Sequence, residues 1–215
     1  MRRIGFLLLM TACHEAGTPV TDGPTGTDVS TATPGLYVSW RANPLVPGAL
    51  TDRLTVTDVT FFVDRFEVLS DVNEGTSHSR YALTWTAGIK PSQEMFLDAS
   101  PGVYSQVAIT LGGGFSQRAY EIRGTWRDNS NTTRRFKIDD RLLLKTSLDL
   151  SETLTAGGIA TIGIAVQLQE AIEGIDFRRL QEHDGELELE TGDLQLNEFR
   201  GRLKTAFKLD HDRVD

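Results

Sequence analysis

Residues Leu54 to Val68 read LTVTDVTFFVDRFEV, and their hydrophobic side chains recur at every second position. This period of two is typical of a half-buried strand, whose side chains point alternately into the core and toward solvent. The alternation changes phase near Asp58 and again at Asp64-Arg65. A change of phase needs an extra residue in the strand, so we predict bulges at these points or a tight turn within a pair of strands.

The same alternation extends outward from this stretch, interrupted by turns rich in glycine and proline. It predicts eight or nine short strands, at Leu36–Arg41, Leu54–Val68, Tyr81–Trp85, Met95–Leu97, Val103–Leu111, Tyr120–Trp126, Phe136–Ile138, Leu142–Leu148 and Ile159–Leu168. Regularly spaced strands with almost no helical pattern favour an antiparallel β-sandwich over residues 35–168. Trp40, Trp85 and Trp126 share the phase of the hydrophobic residues around them, so we expect them in the core.

The composition of the 215 residues is that of an ordinary globular protein, with 39% hydrophobic residues. Asp and Glu number 30 against 22 Lys and Arg, which gives a net charge of −8. This balance argues against a nucleic acid partner, because phosphate binding depends on clustered Lys and Arg. The single cysteine, Cys13, excludes an internal disulfide and a multi-thiolate zinc site, and we predict no cofactor.

The N-terminal residues have the three-part pattern of a secretory signal peptide, which we predict over residues 1–12. Arg2 and Arg3 precede an apolar run, Ile4–Met10, and the small residues Thr11-Ala12 follow it. The apolar run is far shorter than the roughly 20 residues that a membrane-spanning helix needs.

The stretch Met10-Thr11-Ala12-Cys13 resembles the lipobox of bacterial lipoproteins, in which a cysteine after a small residue is lipidated and begins the mature protein. The resemblance implies that acyl chains on Cys13 anchor the protein to a membrane, since several chains bind far more strongly than one. In Gram-negative lipoproteins an Asp directly after this cysteine retains the protein at the inner membrane. His14 therefore implies the outer membrane. The alternative is that Cys13 is a buried free cysteine.

Residues 13–34 join this cysteine to the predicted sandwich. From His14 they read HEAGTPVTDGPTGTDVSTATP, which is rich in Thr, Gly and Pro and holds few large hydrophobic residues. Such a segment cannot bury enough apolar surface to offset the entropy lost on ordering. We predict a flexible tether with a span of about 25 Å.

Three stretches of the predicted sandwich resemble an uncharacterised domain that is common in bacterial lipoproteins. They are Met95–Leu111 (MFLDASPGVYSQVAITL), Phe136–Leu150 and the opening Leu36-Tyr37-Val38. The resemblance covers residues 35–168. It implies a transthyretin-like or immunoglobulin-like sandwich without catalytic residues.

The C-terminal segment, residues 169–215, differs from the sandwich in its acidic composition, and we predict a small appendage there. Glu and Leu alternate from Glu186 to Glu190, which indicates an edge strand with one acidic face. A terminal helix capped by Asn197 would place Phe199 and Phe207 on one stripe. This helix would pack on the sandwich, bind in a groove of a partner or belong to a flexible tail.

No G-x-S-x-G, H-E-x-x-H or P-loop motif occurs in the sequence, so we predict that the protein is not an enzyme. His183-Asp184 and His211-Asp212 are adjacent pairs, but adjacent residues on a strand face opposite ways and do not form a catalytic dyad. The candidate ligand-binding residues are Tyr37, Phe62 and Tyr104. These aromatic residues are out of phase with the core and would form an exposed patch.

Two acidic clusters leave two interpretations open, a calcium site or a solvated acidic face. The clusters are Asp139-Asp140 and the group of Asp184, Glu186, Glu188 and Glu190. Neither belongs to a loop with the ligand spacing of a calcium site, so we predict a solvated face and no metal site.

Together these features predict a lipoprotein of the bacterial cell envelope, anchored at the outer membrane through Cys13, that acts as a non-catalytic binding or structural module. Its partner would be an envelope protein or a glycan. The first alternative is a carbohydrate-binding surface lipoprotein. The second is a hydrolase with a dispersed site, which would need His78, His183 or His211 beside a carboxylate in a pocket.

Overall fold

A four-stranded sheet and a nine-stranded sheet form a mainly β sandwich, as the alternation predicts. The computed structural model describes residues 33–71, 75–91, 93–114 and 116–210. Cys13, the predicted signal peptide, the tether as far as residue 32, and His211 lie outside the described residues.

The described residues form thirteen strands, two α-helices and one short 3-10 helix. The strands are β1 Gly35–Asn43, β2 Gly48–Thr51, β3 Leu54–Ser70, β4 Thr76–Trp85, β5 Glu94–Phe96, β6 Gly102–Leu111, β7 Tyr120–Arg127, β8 Thr133–Asp140, β9 Leu144–Leu154, β10 Ile159–Gln167, β11 Gln181–His183, β12 Glu186–Leu189 and β13 Phe207–Leu209. The helical segments are α1 Leu168–Ile172, the 3-10 helix Phe177–Arg179 and α2 Leu194–Ala206. Each predicted strand overlaps an observed one, whereas β2, β11 and β13 were not predicted.

The small sheet has the strand order β13-β10-β1-β5, and the large sheet runs β11-β12-β8-β7-β3-β6-β9, with β2 and β4 also paired to β3. Most neighbours are antiparallel. The pairs β1 with β10 and β8 with β12 are parallel, which the sequence pattern did not indicate.

β3 is one continuous strand of 17 residues, so bulges and not a turn explain its changes of phase. Its pairing with β7 shifts register between Val56 and Asp58, and its pairing with β6 shifts between Val63 and Arg65. The two bulges predicted from the sequence are therefore confirmed. One edge of β3 pairs with β2 and β4. Along its other edge, the first half of β3 pairs with β7 and the second half pairs with β6. The large sheet forks at the middle of β3.

Aromatic side chains of both sheets meet in the core. The ring centroid of Phe66 on β3 lies 5.3 Å from that of Trp40 on β1 and 6.0 Å from that of Phe96 on β5. Trp40 and Trp85 are buried, as predicted. Trp126 is only half-buried and packs at the margin of the core.

The C-terminal segment contributes strands to both sheets and is not the predicted appendage. β12 lies between β8 and β11, so it is not an edge strand. β13 pairs with β10 in the small sheet. The described residues from 33 onward belong to one compact unit, and the predicted boundary at residue 168 divides a continuous sandwich. The acidic composition of the segment reflects its exposed side chains and says nothing of its backbone pairing.

Helix α2 begins earlier than predicted. Its N-cap is Asp193, whose carboxylate accepts a hydrogen bond of 2.8 Å from the Gln195 backbone N–H. Asn197 lies inside the helix, where its side-chain oxygen accepts a hydrogen bond from Arg200, so its prediction as the N-cap is wrong.

The apolar side of α2 is covered by the rest of the sandwich. Leu196, Phe199, Leu203 and Ala206 are all buried, which confirms a packed helix and leaves no apolar stripe for a partner groove. Phe207 lies beyond the helix and begins β13. Among the described helices, none has the length and hydropathy to cross a membrane.

Candidate functional site

The three aromatic residues predicted as a ligand-binding patch do not lie together. Tyr37 is half-buried on the outer side of β1, and its Oη donates a hydrogen bond of 2.6 Å to the Thr33 carbonyl. Phe62 is half-buried on β3, between two fully buried neighbours, so its side chain points away from the core. Tyr37 and Phe62 thus face outward from different sheets, and the structure does not join them in one patch.

Tyr104 is buried, and the prediction that it is exposed is wrong. It is only 1% exposed, and its Oη donates a hydrogen bond of 2.8 Å to the Ser100 carbonyl. The reason is a bulge: β6 carries an extra residue against β3, since Ser70 pairs with Tyr104 and the adjacent Leu69 pairs with Gln106. This extra residue turns Tyr104 into the core and leaves Val103 40% exposed.

The first predicted acidic cluster contains a buried ion pair between Asp140, at the end of β8, and Arg200 on α2. Asp140 is fully buried, and Arg200 donates Nε to its Oδ2 at 2.5 Å and Nη2 to its Oδ1 at 2.7 Å. The Tyr120 hydroxyl donates to Oδ2 at 2.9 Å, and the Leu142 N–H donates to Oδ1 at 3.1 Å. Protein donors therefore occupy both carboxylate oxygens, and this carboxylate serves to hold α2 on the sheet.

The ionisation of this cluster follows from its contacts. Burial disfavours the charged form of Asp140, but the hydrogen bonds from Arg200, the Leu142 amide and Tyr120 outweigh it and hold the pKa of the carboxyl below its ordinary value. Burial and the neighbouring Asp140 charge raise the pKa of the Tyr120 phenol far above its usual range. At neutral pH the cluster is thus an ion pair beside a neutral phenol.

Two carboxylates of the second acidic cluster, Glu186 and Glu188, also have cationic partners. Glu186 Oε2 lies 3.1 Å from Arg123 Nη1, and Glu188 Oε1 lies 3.1 Å from Lys137 Nζ. Beside them, Asp139 Oδ2 lies 3.2 Å from Arg118 Nε. These contacts favour a network of ion pairs across β7, β8 and β12 over a calcium site.

Two described histidines lie beside carboxylates, as the hydrolase alternative requires. His183 Nδ1 is 3.9 Å from Glu188 Oε2, and His78 Nε2 is 4.0 Å from Glu94 Oε2; both distances are too long for hydrogen bonds. His183, Glu188 and Glu190 each bring one potential metal-ligand atom within 4.8 Å of the others. Among the described residues, neither imidazole hydrogen-bonds to a hydroxyl nucleophile, so the hydrolase alternative stays a prediction.

A cleft of about 840 Å³ opens between β9 and β10. These strands are consecutive and are joined by a short turn, residues 155–158, yet they do not pair with each other. β9 belongs to the large sheet and β10 to the small one. In a hairpin the facing edges of β9 and β10 would be hydrogen-bonded to each other. Here these two edges line the cleft instead.

The backbone on both sides of this cleft is unpaired in the part of the chain that the structure describes. β9 pairs only with β6. β13 pairs with β10 at Ile164–Val166, and beyond it the Asp210 N–H donates to the Gly163 carbonyl at 2.8 Å. Because backbone groups alternate along a strand, those of Ile159 and Thr161 point to the same side as the Gly163 carbonyl, into the cleft. An unpaired edge of this kind is a template for another strand.

The lining of the cleft combines apolar side chains with carboxylates. Leu150, Ile159 and Leu209 supply apolar surface, and the lining contains no Lys or Arg against its three acids, Asp149, Glu152 and Asp210. Asp210 Oδ1 lies 2.8 Å from Arg41 Nη2, and Asp149 accepts a 3.4 Å hydrogen bond from Gln106. Glu152 has no ion pair with a described residue.

A smaller cavity of about 380 Å³ lies at the end of β7. Trp126 and Phe177 stack there with ring centroids 5.7 Å apart and ring planes 17° apart. Polar side chains of Asp128, Asn129 and Arg134 surround these rings.

Comparison with protein-family models, curated proteins and solved structures found no match to this chain. The function of the cleft is therefore inferred from its residues. None of its residues was predicted to be functional from the sequence. Gly157-Gly158 between two strand patterns indicates a turn there, but only the pairings of β9 with β6 and of β10 with β1 show that the flanking strands join different sheets.

Proposed function

We propose that this chain is a lipid-anchored protein of the bacterial outer membrane that binds a protein partner without catalysis, through the cleft between β9 and β10. The observation that supports binding is the pair of unpaired strand edges lining one cleft. Proteins ordinarily cover or blunt such edges, since exposed edges pair with other chains. An edge left open inside a cleft is a common way to bind an extended peptide.

The proposed anchor rests on the lipobox-like stretch that ends at Cys13 and on the Thr-, Gly- and Pro-rich residues after it. Cleavage before Cys13 would remove two bases, Arg2 and Arg3, and no acid, leaving 20 bases against 30 acids and a net charge of −10. Anionic headgroups repel such a body. The tether would then hold the cleft away from the bilayer, where a partner can reach it.

Replacing Cys13 with serine tests the anchor. We expect the unmodified chain to sediment with membranes and to incorporate an alkyne-labelled fatty acid, because acyl chains on the cysteine supply the membrane affinity. The C13S variant should lose the label and move to the soluble fraction. The anchor proposal would be abandoned if C13S stayed with the membranes.

A neighbouring substitution serves as the control and tests the membrane. The H14D variant keeps Cys13 and should keep the label. If the outer-membrane location is right, H14D should shift from the outer-membrane to the inner-membrane fraction on a sucrose gradient. An unmodified chain already found in the inner-membrane fraction would contradict the proposed location.

A second candidate function, glycan binding, is favoured by the aromatic cavity at Trp126. Sugars stack on aromatic rings, and here the stacked Trp126–Phe177 pair lies among polar side chains. This cavity replaces the predicted patch of Tyr37, Phe62 and Tyr104 as the place for a glycan.

A glycan array tests this second candidate. We expect the unmodified chain to retain at least one glycan class and W126A to lose that signal, since the substitution removes the larger stacking surface. Y37A, which removes an aromatic ring elsewhere, should bind normally, and thermal melts followed by circular dichroism should show that both variants are folded. Absence of any glycan signal from the unmodified chain would exclude this candidate.

A further inference from the structure

We infer that the cleft binds an extended peptide rich in Lys or Arg, which adds as a new strand to the free edge of β9. The inference rests on the proposed function of the cleft and specifies the chemistry of its partner. It combines two features of the cleft. One is an unpaired edge that offers backbone hydrogen bonds, and the other is a lining whose charged residues are all acidic.

The part of β9 that is open to a new strand is short and well delimited. At its start, β9 is covered by α2, where the Thr146 hydroxyl donates a 3.0 Å hydrogen bond to the Lys204 carbonyl. Residues 149–153 line the cleft instead. They include neither proline nor lysine, the residues that usually protect an edge strand from pairing. This length accommodates a peptide of about five residues in extended conformation.

The charge of the lining selects a basic peptide. Asp149 and Glu152 lie on β9 itself, and neither forms an ion pair with a described residue. Asp149 lies opposite Gln106 and Glu152 lies opposite the buried Tyr104, so the two carboxylates are on opposite faces of β9. A Lys or Arg on either face of an added strand would lie beside one of them and supply the missing cation. Leu150 is half-buried and Ile159 is 50% exposed, so the cleft also offers apolar surface to side chains between the basic ones. A peptide of alternating basic and apolar residues would place its basic side chains on one face of the added strand, beside one of these carboxylates, and its apolar side chains on the other.

A second copy of the chain fits the edge poorly. Two copies of β9 pairing symmetrically at residues 149–153 would bring Asp149 and Glu152 of both copies together, and like charges across a ladder are destabilising. A symmetric pairing centred closer to Lys145 would use the end of β9 that α2 covers.

The chain's own C-terminus is also a poor match for the lining. Residues 211–215 read HDRVD, with two acids and one arginine, so they bring more negative than positive charge to an acidic cleft. A basic peptide from another protein is the occupant that the charges favour.

Titration with synthetic peptides tests the inference on the chain of residues 1–215 in mild detergent. The probe is a fluorescein-labelled peptide of alternating lysine and valine, and fluorescence anisotropy reports its binding at physiological ionic strength. A peptide of alternating glutamate and valine tests the charge requirement. A lysine and valine peptide with N-methyl groups on alternate amides keeps its charge but cannot donate to a strand edge.

Two protein variants of equal net charge locate the site. D149N/E152Q removes the two acids of β9, and E173Q/D184N removes two exposed acids elsewhere. We expect the lysine and valine peptide to bind the unmodified chain and E173Q/D184N alike. D149N/E152Q should weaken binding roughly tenfold, and N-methylation of the peptide should weaken it by at least as much.

Several results would overturn the inference. Equal binding of the N-methylated peptide would show charge attraction without strand addition, and equal loss in both variants would show attraction to the whole acidic surface. A dimer in light scattering that excludes the peptide, or binding only after truncation at Asp210, would assign the edge to a second copy or to the C-terminus. Binding of the glutamate peptide alone would overturn the basic specificity but keep the cleft as a binding surface. The fractionation of C13S is independent of all these outcomes.

Discussion

The D140A variant is expected to lose about 3–5 kcal/mol of unfolding free energy, because it leaves the Arg200 guanidinium at a poorly hydrated site without its counter-charge. Asp140 is fully buried and accepts four hydrogen bonds, from Arg200, Tyr120 and the Leu142 amide. The substitution therefore leaves both the Arg200 charge and the Tyr120 hydroxyl without their partner. It also removes the contact that fastens α2 to the end of β8.

Chemical denaturation followed by circular dichroism measures this effect. D184N, which alters an exposed acid, serves as the control and should change stability by less than about 0.5 kcal/mol. The double variant D140N/R200M removes both charges. Its loss of unfolding free energy should be smaller than the sum of the losses in D140N and R200M, since no charge is left without its partner. A loss below about 1 kcal/mol in D140A would mean that the pair does not hold α2 in place.

The same pair gives stability a defined dependence on pH. The pKa of Asp140 is lower in the folded chain than in the unfolded chain, where it is about 3.9. Its contribution is therefore present above the unfolded pKa and is lost as the pH falls through the folded pKa. We expect the stability gap between the unmodified chain and D140N to be widest near neutral pH and to narrow in acid. A gap that stayed constant down to acid pH would contradict the ion pair.

The F66A variant is expected to lose about 3–5 kcal/mol, as other Phe-to-Ala changes in cores do. Phe66 is fully buried and contacts Trp40 and Phe96, so its ring joins the large sheet to the small one. Its removal would leave a cavity between the sheets, because Trp40 and Phe96 cannot fill the space without disturbing their own strands.

Equilibrium unfolding in guanidinium chloride measures the loss in F66A. F62A provides a matched control on the same strand, since Phe62 is half-buried and faces outward, and its loss should be clearly smaller. F66L should recover most of the stability, because leucine refills much of the volume. Equal losses of stability in F66A and F62A would contradict the orientation of β3, in which Phe66 faces the core and Phe62 faces outward.

Much of the secondary structure could be predicted from the sequence because alternation is a local property. The phase changes at Asp58 and at Asp64-Arg65 predicted the two bulges of β3, and the phase of Trp40 and Trp85 placed both in the core. The same reasoning failed at Tyr104. There the bulge of β6 comes directly after Tyr104, and the polar residues Ser105 and Gln106 show no hydrophobic alternation that would reveal it.

The candidate site could not be predicted, because it arises from strands that separate. β9 and β10 read as two ordinary strands joined by a glycine turn, which is the pattern of a hairpin. Their partners, β6 and β1, draw them into different sheets and open the cleft between them. Similarly, Asp140 and Arg200 each look like surface residues until the fold buries them together.

Local alternation was enough to predict a β-sandwich with Trp40 and Trp85 in its core, and the N-terminal pattern supplied Cys13 as the basis of the proposed anchor. Both depend on patterns within a few neighbouring residues. The folded chain was needed to show that the C-terminal segment adds strands to both sheets, that Tyr104 is buried and that an acidic cleft lies between two open edges. These features depend on which distant strands pair, and pairing energy comes from the packing of whole sheets, which no local pattern records.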